Sequence, residues 1–218
     1  MNIKDPCKSC VDCGRKACQK SNEALYPDFC LTKNTSSDDL ANVTAKYNDD
    51  EYNNAIMMNA CKIQADTYGT ITRVEETVLM AKAMGCKRIG IATCTALLKE
   101  SQTLTRILRT NGFEVFSACC KVGAISKKDL NIPDEIITQG PNICNPIMQA
   151  ELINEANIDL CIVMGLCVGH DILFQKYVKV PTTTLVVKDR VLAHNSCAGL
   201  YQTHSFYKNL LEPMEYSE

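Results

Sequence analysis

Cys7, Cys10 and Cys13 follow one another at intervals of three, and Cys18 and Cys30 come after them among short polar residues. Thiols at the first three positions resemble the C-x2-C-x2-C run that wraps one corner of an iron-sulfur cube. The fourth interval departs from the ferredoxin pattern, where the next cysteine comes after three residues and precedes proline. Here Cys18 comes after four residues and precedes Gln19. The fourth ligand is therefore open between Cys18 and Cys30. Structural zinc prefers two separated cysteine pairs, and Cys10/Cys13 with Cys18/Cys30 make the alternative. A 4Fe-4S cluster is the better match to the spacing. Residues 1–30 carry too few apolar side chains for a core, so metal would also be what folds them.

A second set of thiols has no tight spacing but recurs at corresponding places. Cys94 ends RIGIATC, Cys119 and Cys120 end FEVFSACC, Cys167 ends DLCIVMGLC, and Cys197 follows the strand-like run TTTLVV; Cys144 stands just ahead of the helical pattern NPIMQAELINEA. In an open α/β sheet the carboxyl ends of the strands line the ligand crevice, so these six sulfurs are expected on one rim. Six exceeds the four thiolates of one cube. They are read as cofactor-binding, with a second cluster, a redox-active pair or a nucleophilic thiolate as the possible uses. Neighbours in a strand point to opposite faces, so Cys119 and Cys120 share a site only if the chain turns there, and Lys121-Val-Gly123 offers a turn. Each thiol alone is explained equally well as a small buried hydrophobe; six together favour chemistry.

Cys167 lies in GLCVGHD, where a following helix terminus favours a thiolate. Cys167 and His170 are the catalytic candidates, His170 as proton donor. His194 comes next, with Lys188, Asp189 and Arg190 as either pocket charges or a plain exposed strand end. No G-x-G-x-x-G or Walker pattern supports a nucleotide at this crevice.

Elements that must position these groups are legible from periodicity. Thr72-Arg-Val-Glu75 is a capping box ahead of a helix that Gly85 can end. Strands and helices then alternate: Arg88–Cys94, Ala96–Thr110, Glu114–Cys119, Asn145–Asn157, Asp159–Cys167, a helix from Gly169 to Tyr177, and Thr183–Val187. Such alternation predicts an α/β fold with a parallel sheet of about four strands and helices on both faces. The expected division is a cysteine-rich metal knot (1–30), a linker and helical connector (31–85), and an α/β domain (86–218). Met57, Met58, Met80 and Met84 are expected at apolar helical core positions, and Cys161, inside an apolar run, as a buried packing residue.

Charge is nearly balanced, with 23 Lys plus Arg against 25 Asp plus Glu. That excludes the strong basic field of a nucleic-acid binder. No apolar run approaches a membrane span and no signal peptide is apparent, so the expectation is a cytoplasmic protein. Fourteen cysteines in a reducing compartment point to metal or redox chemistry rather than disulfides.

On GLCVGHDILFQKY, the VKDRVLAHN segment and the start CKSCVDCGRKAC, the chain resembles a family of uncharacterised metal-binding proteins of anaerobic bacteria and archaea, a domain-of-unknown-function family. The resemblance implies metal binding through Cys7, Cys10, Cys13 and Cys18 and a host in which iron-sulfur clusters survive. It implies no activity. The combined expectation is an iron-sulfur redox protein whose amino-terminal cluster relays electrons to the thiol-lined crevice, where a small substrate is reduced or sulfur is transferred. The expected partners are a small-molecule substrate and an electron-donor protein. A non-enzymatic zinc- or iron-binding protein or electron carrier is the alternative.

Overall fold

The structure, a computed structural model, describes residues 8–216. Cys7 lies outside the described residues. The chain divides into two compact units, with the boundary between Asp66 and Thr67.

The first unit begins with three short 3-10 turns, Cys10–Asp12, Ala17–Lys20 and Glu23–Leu25, followed by helices α1 (Leu31–Asn34), α2 (Ser37–Asn48) and α3 (Glu51–Thr67). Ser36 caps α2 by accepting a hydrogen bond from the Asp39 amide at 3.1 Å, satisfying one of the first-turn donors that a helix leaves unpaired. Among its described residues Ala17 alone is buried. Met57 and Met58, expected at core positions, are 42% and 64% exposed. The reason is local: α3 carries no buried residue, so its apolar positions have no core to enter within this unit.

The second unit holds α4 (Arg73–Ala83), β1 (Arg88–Thr93), α5 (Leu98–Thr110), β2 (Glu114–Cys119), α6 (Pro146–Glu155), β3 (Leu160–Met164), α7 (Val168–Tyr177), β4 (Thr182–Val186) and the short α8 (Cys197–Tyr201). The four strands form one parallel sheet in the order β2-β1-β3-β4. Strand alternation sends Ile89, Ile91, Ile162 and Met164 to one face, against Val78 and Ala81 of α4 and Leu104 and Leu108 of α5. Ala92, Cys161 and Val163 face the other way, against Ala150 and Ile153 of α6 and Phe174 of α7. Helices thus cover both faces.

The expected connector 31–85 is divided by the unit boundary. Its last helix, α4, starts at a capping box in which Thr72 and Glu75 bond each other's backbone amides and buries Thr77, Val78 and Ala81 at i, i+1 and i+4. That apolar stripe needs the sheet to cover it, so α4 is part of the α/β unit.

From β1 the chain runs through α5 to β2 on one side, then returns through α6 to β3 on the other side of β1. The loops after β1 and β3 therefore leave in opposite directions. In open α/β sheets this point of reversal is where the ligand crevice opens. Cys94 directly follows β1, and Gly165-Leu166-Cys167 directly follows β3.

Candidate thiol centre

Three sulfurs meet at the carboxyl ends of β1 and β2. Cys120 Sγ lies 3.9 Å from Cys94 Sγ, and Cys144 Sγ lies 3.7 Å from Cys120 Sγ. Parity explains the meeting. Phe116, Cys120, Ala92 and Cys94 belong to the same packed cluster, because even-numbered positions of both strands face α6 and α7. Cys144, just ahead of Asn145, the cap of α6, is brought in by the loop before that helix. The Asn145 amide donates to the Cys120 carbonyl at 2.7 Å, and Lys121 Nζ donates to the Asn142 carbonyl at 2.6 Å.

Two cations face these sulfurs. Lys188 Nζ donates to Cys94 Sγ and stands 3.8 Å from Cys167 Sγ; Arg190 donates to Cys167 Sγ at 3.1 Å. Asp189 between them holds the loop: its Oδ1 accepts from the Val191 and Leu192 amides at 3.0 and 2.8 Å, and its own amide donates to His194 Nδ1 at 3.1 Å. Lys188 and Arg190 thus stand against thiol sulfurs, whereas His194 bonds the backbone of their loop.

Cys94 is buried, and its thiol is held well below its ordinary value of 9.0. The hydrogen bond donated by Cys120 is the main cause, with the Lys188 ammonium and the Ala96 amide adding to it against the cost of burial. Cys120 shifts the other way, because it holds the proton that bonds Cys94 and because it is buried. One proton is therefore shared by a pair in which Cys94 carries the charge. Arg190 is held still more firmly protonated by Cys167.

His170, half-buried in the first turn of α7, is pushed below 6.5 by burial and then by the charges of Lys121 and Lys188. At neutral pH the ring is uncharged. It was expected as a proton donor; in this environment a neutral imidazole accepts a proton more readily than an imidazolium is formed to give one.

The other expected rim cysteines stand apart in their surroundings. Cys119 ends β2 at an odd-numbered position, where Val115 packs on the α4/α5 face, so alternation carries it away from Cys120. Cys197 begins α8 and is exposed. Cys161 is fully buried and pushed up to about 12 by burial, in keeping with a packing role.

Sequence reasoning passed over Gln149. It is fully buried on α6, and its Nε2 donates to the carbonyls of Thr93 at 3.0 Å and Ala118 at 2.8 Å. It ties the ends of β1 and β2 together just before Cys94 and Cys120. The signal was present: Pro146, Gln149, Ala150 and Ile153 are the buried stripe of α6, and a glutamine at helical core spacing needs polar partners.

In the first unit, Cys10, Cys13, Cys18 and Cys30 line one cavity of about 230 Å³ with Phe29 and Leu31. The Cys30 thiol is lowered by the Lys33 amide. Among the described residues, no group of three or more His, Cys, Asp or Glu side chains is arranged to hold a metal ion. At the crevice, Lys188 and Arg190 oppose a bare cation and suit thiolate or another anion. In the first unit the donor set, soft thiols in an apolar cavity, suits an iron-sulfur cluster.

No described helix is long and apolar enough to cross a membrane. Among solved structures, the chain is similar to Dph2 from Pyrococcus horikoshii with a 4Fe-4S cluster, at 19% identity and a TM-score of 0.36, over 65% of this chain and 32% of that one. The chain spans about a third of that protein's length, and a likeness this slight carries no argument. It is 43% identical over 196 residues to the uncharacterized protein MJ0455 of Methanocaldococcus jannaschii, covering 89% of this chain and 98% of that one. The model of the family described as "Protein of unknown function (DUF1847)" matches residues 30–185, and the chain belongs to that family.

Proposed function

We propose that the protein is a thiol redox enzyme whose nucleophile is Cys94 and whose substrate is a small anionic molecule carrying electrophilic sulfur. The observation that carries this reading is the pairing of a buried Cys94 with the Lys188 ammonium on one side and the Cys120 thiol at 3.9 Å on the other. A thiolate is the attacking form of cysteine, and a neighbouring cation is a standard means of keeping it at neutral pH. Lys188 and Arg190 supply the charge that draws an anionic substrate to the same sulfur.

The Cys94 thiolate attacks the substrate's electrophilic sulfur, forming a sulfur-sulfur bond while the leaving group departs with its electron pair. Cys120 then attacks Cys94 Sγ. A Cys94–Cys120 disulfide forms, and the reduced sulfur product leaves with the electron pair and the Cys120 proton. Two electrons and one proton restore the Cys94 thiolate and the Cys120 thiol. His170, near enough to Lys188 and Cys94 to feel their charges, receives or passes a proton. Cys167, bonded by Arg190, is assigned to substrate positioning rather than attack, which revises its expected role.

The electron source in this reading is an iron-sulfur cluster held by Cys10, Cys13, Cys18 or Cys30, with Cys7 as a further candidate. It supplies one-electron steps to the crevice when bound. Support for it comes from the thiol spacing and the shared apolar cavity. Anaerobic purification with iron and acid-labile sulfide analysis tests this part: iron with sulfide supports it, and zinc alone contradicts it. The catalytic part is tested by offering reduced protein a persulfide or thiosulfonate anion and following sulfide or sulfinate release. Wild-type turnover that vanishes in Cys94→Ser supports the assignment; turnover that survives removes it.

A further inference from the structure

The reading of Cys94 leaves one close thiol unused. Cys144 Sγ stands 3.7 Å from Cys120 Sγ, yet nothing in the attack or its resolution requires it. Cys120 has a sulfur neighbour on each of two elements, Cys94 after β1 and Cys144 before α6. Thiol-disulfide exchange places three sulfurs in a row with the attacked sulfur in the middle, and Cys120 is the sulfur with both neighbours.

Resting on the proposed role of Cys94, we propose that Cys144 is a second resolving thiol, which takes the disulfide over from Cys94–Cys120 and carries it to Cys120–Cys144. The Cys144 thiol gives its proton to solvent and attacks Cys120 Sγ. The Cys120–Cys144 bond forms, the Cys94–Cys120 bond breaks, and its electron pair leaves on Cys94. The exchange is neutral in electrons and needs no oxidant or reductant.

Three observations set its direction. The departing sulfur is Cys94, which Lys188 receives as a thiolate, and a better-stabilised thiolate leaves faster. Exposure favours the second pair: Cys94 and Cys120 are buried at 6% and 2% exposed, whereas Cys144 is only half-buried. The loop that carries Cys144 is fastened to the Cys120 turn by the Asn145 amide on the Cys120 carbonyl, at 2.7 Å, and by Asn145 Nδ2 on the Val122 carbonyl, at 3.4 Å. The two sulfur gaps close in turn to about 2.05 Å as each disulfide forms. The consequence is a nucleophile freed for the next substrate while the oxidised pair includes the half-buried Cys144.

The test is a disulfide map of the full-length protein, reduced anaerobically, oxidised with one equivalent of diamide, quenched in acid and sequenced by fragment mass spectrometry to separate Cys119 from Cys120. The expected product is a dominant Cys120–Cys144 bond, with Cys94 still open to iodoacetamide at about pH 6. In Cys144→Ser the bond should rest at Cys94–Cys120, and recovery of the Cys94 thiolate should slow about tenfold or more. A dominant Cys94–Cys120 bond in the wild-type protein, with Cys144 free, overturns the relay and leaves the role of Cys94 standing. Reduced Cys94 that reacts only near pH 9 overturns that role, and the relay with it.

Discussion

The two thiol sets of this molecule are organised in opposite ways. The amino-terminal cysteines are dense in sequence and, where described, poorly supported in space: Cys10 and Cys18 sit on 3-10 turns in a unit whose described residues bury Ala17 alone. Cys94, Cys120, Cys144 and Cys167 are scattered over a long stretch of chain, yet a parallel sheet and its connections bring them to one crevice with Lys188 and Arg190. The first set needs something added to become a site. The second is positioned by the fold itself, and its chemistry follows from neighbours already in place.

That contrast can be broken most severely by removing the amino-terminal ligands. The double substitution Cys10→Ser, Cys13→Ser should abolish bound iron and open residues 8–66 to protease, while 67–216 remain protected, since a unit without a core depends on its metal. Protection of both units after iron is lost would show that the first unit folds unaided.

A smaller effect is expected from Gly165→Ala in the second unit. Gly165 has φ +68, and an added Cβ would fall 2.1 Å from Leu97 Cδ1. Leu97 is 2% exposed, so its side chain would have to shift within the buried interior. Left-handed strain and overpacking together should cost about 1–3 kcal/mol, read as a lower denaturant midpoint. An unchanged midpoint would mean that the ends of β1 and β3 are less tightly held than their geometry indicates.

Lys188→Met sharpens the comparison within the crevice. Cys94 should titrate about one unit or more higher, followed by thiolate absorbance, because an opposite charge in contact favours the ionised form. The shift should be partial, since Cys120 is the larger cause of the lowered value. A titration that does not move would assign the whole effect to Cys120 and take Lys188 out of the mechanism.

Much of the second unit was readable because its elements are local. Apolar runs bounded by turn signals marked β1 and β2 nearly to the residue, and Asn145-Pro146 announced the start of α6 through a cap and a tolerated first-turn proline. Cys94 and Cys120, expected at strand ends, lie in contact with each other, and Cys144, expected ahead of a helix, lies beside Cys120. What could not be read was which sulfurs touch. That depends on the return of the chain past β1, which sets β1 between β2 and β3, and on the parity that joins Cys120 to Cys94 while turning Cys119 away. For Lys188 the sequence left two readings open, and its contact with Cys94 could not be read because it rests on a loop folded by Asp189 and His194 rather than on any periodic pattern. Cys167 had the more conspicuous local motif, yet burial and the Cys120 hydrogen bond single out Cys94.

The central claim is that Cys94 is a thiolate at neutral pH, and the rate of its alkylation as a function of pH tests it most directly. Reduced full-length protein would be treated briefly with iodoacetamide across the pH range and the Cys94 peptide quantified. Allowing for the weaker nucleophilicity of a stabilised thiolate, the account predicts reaction about tenfold faster than an ordinary thiol at pH 6. The rate should level off with a midpoint well below the ordinary 9.0 of a cysteine thiol. A rate that climbs steadily to a midpoint near 9 would contradict the account.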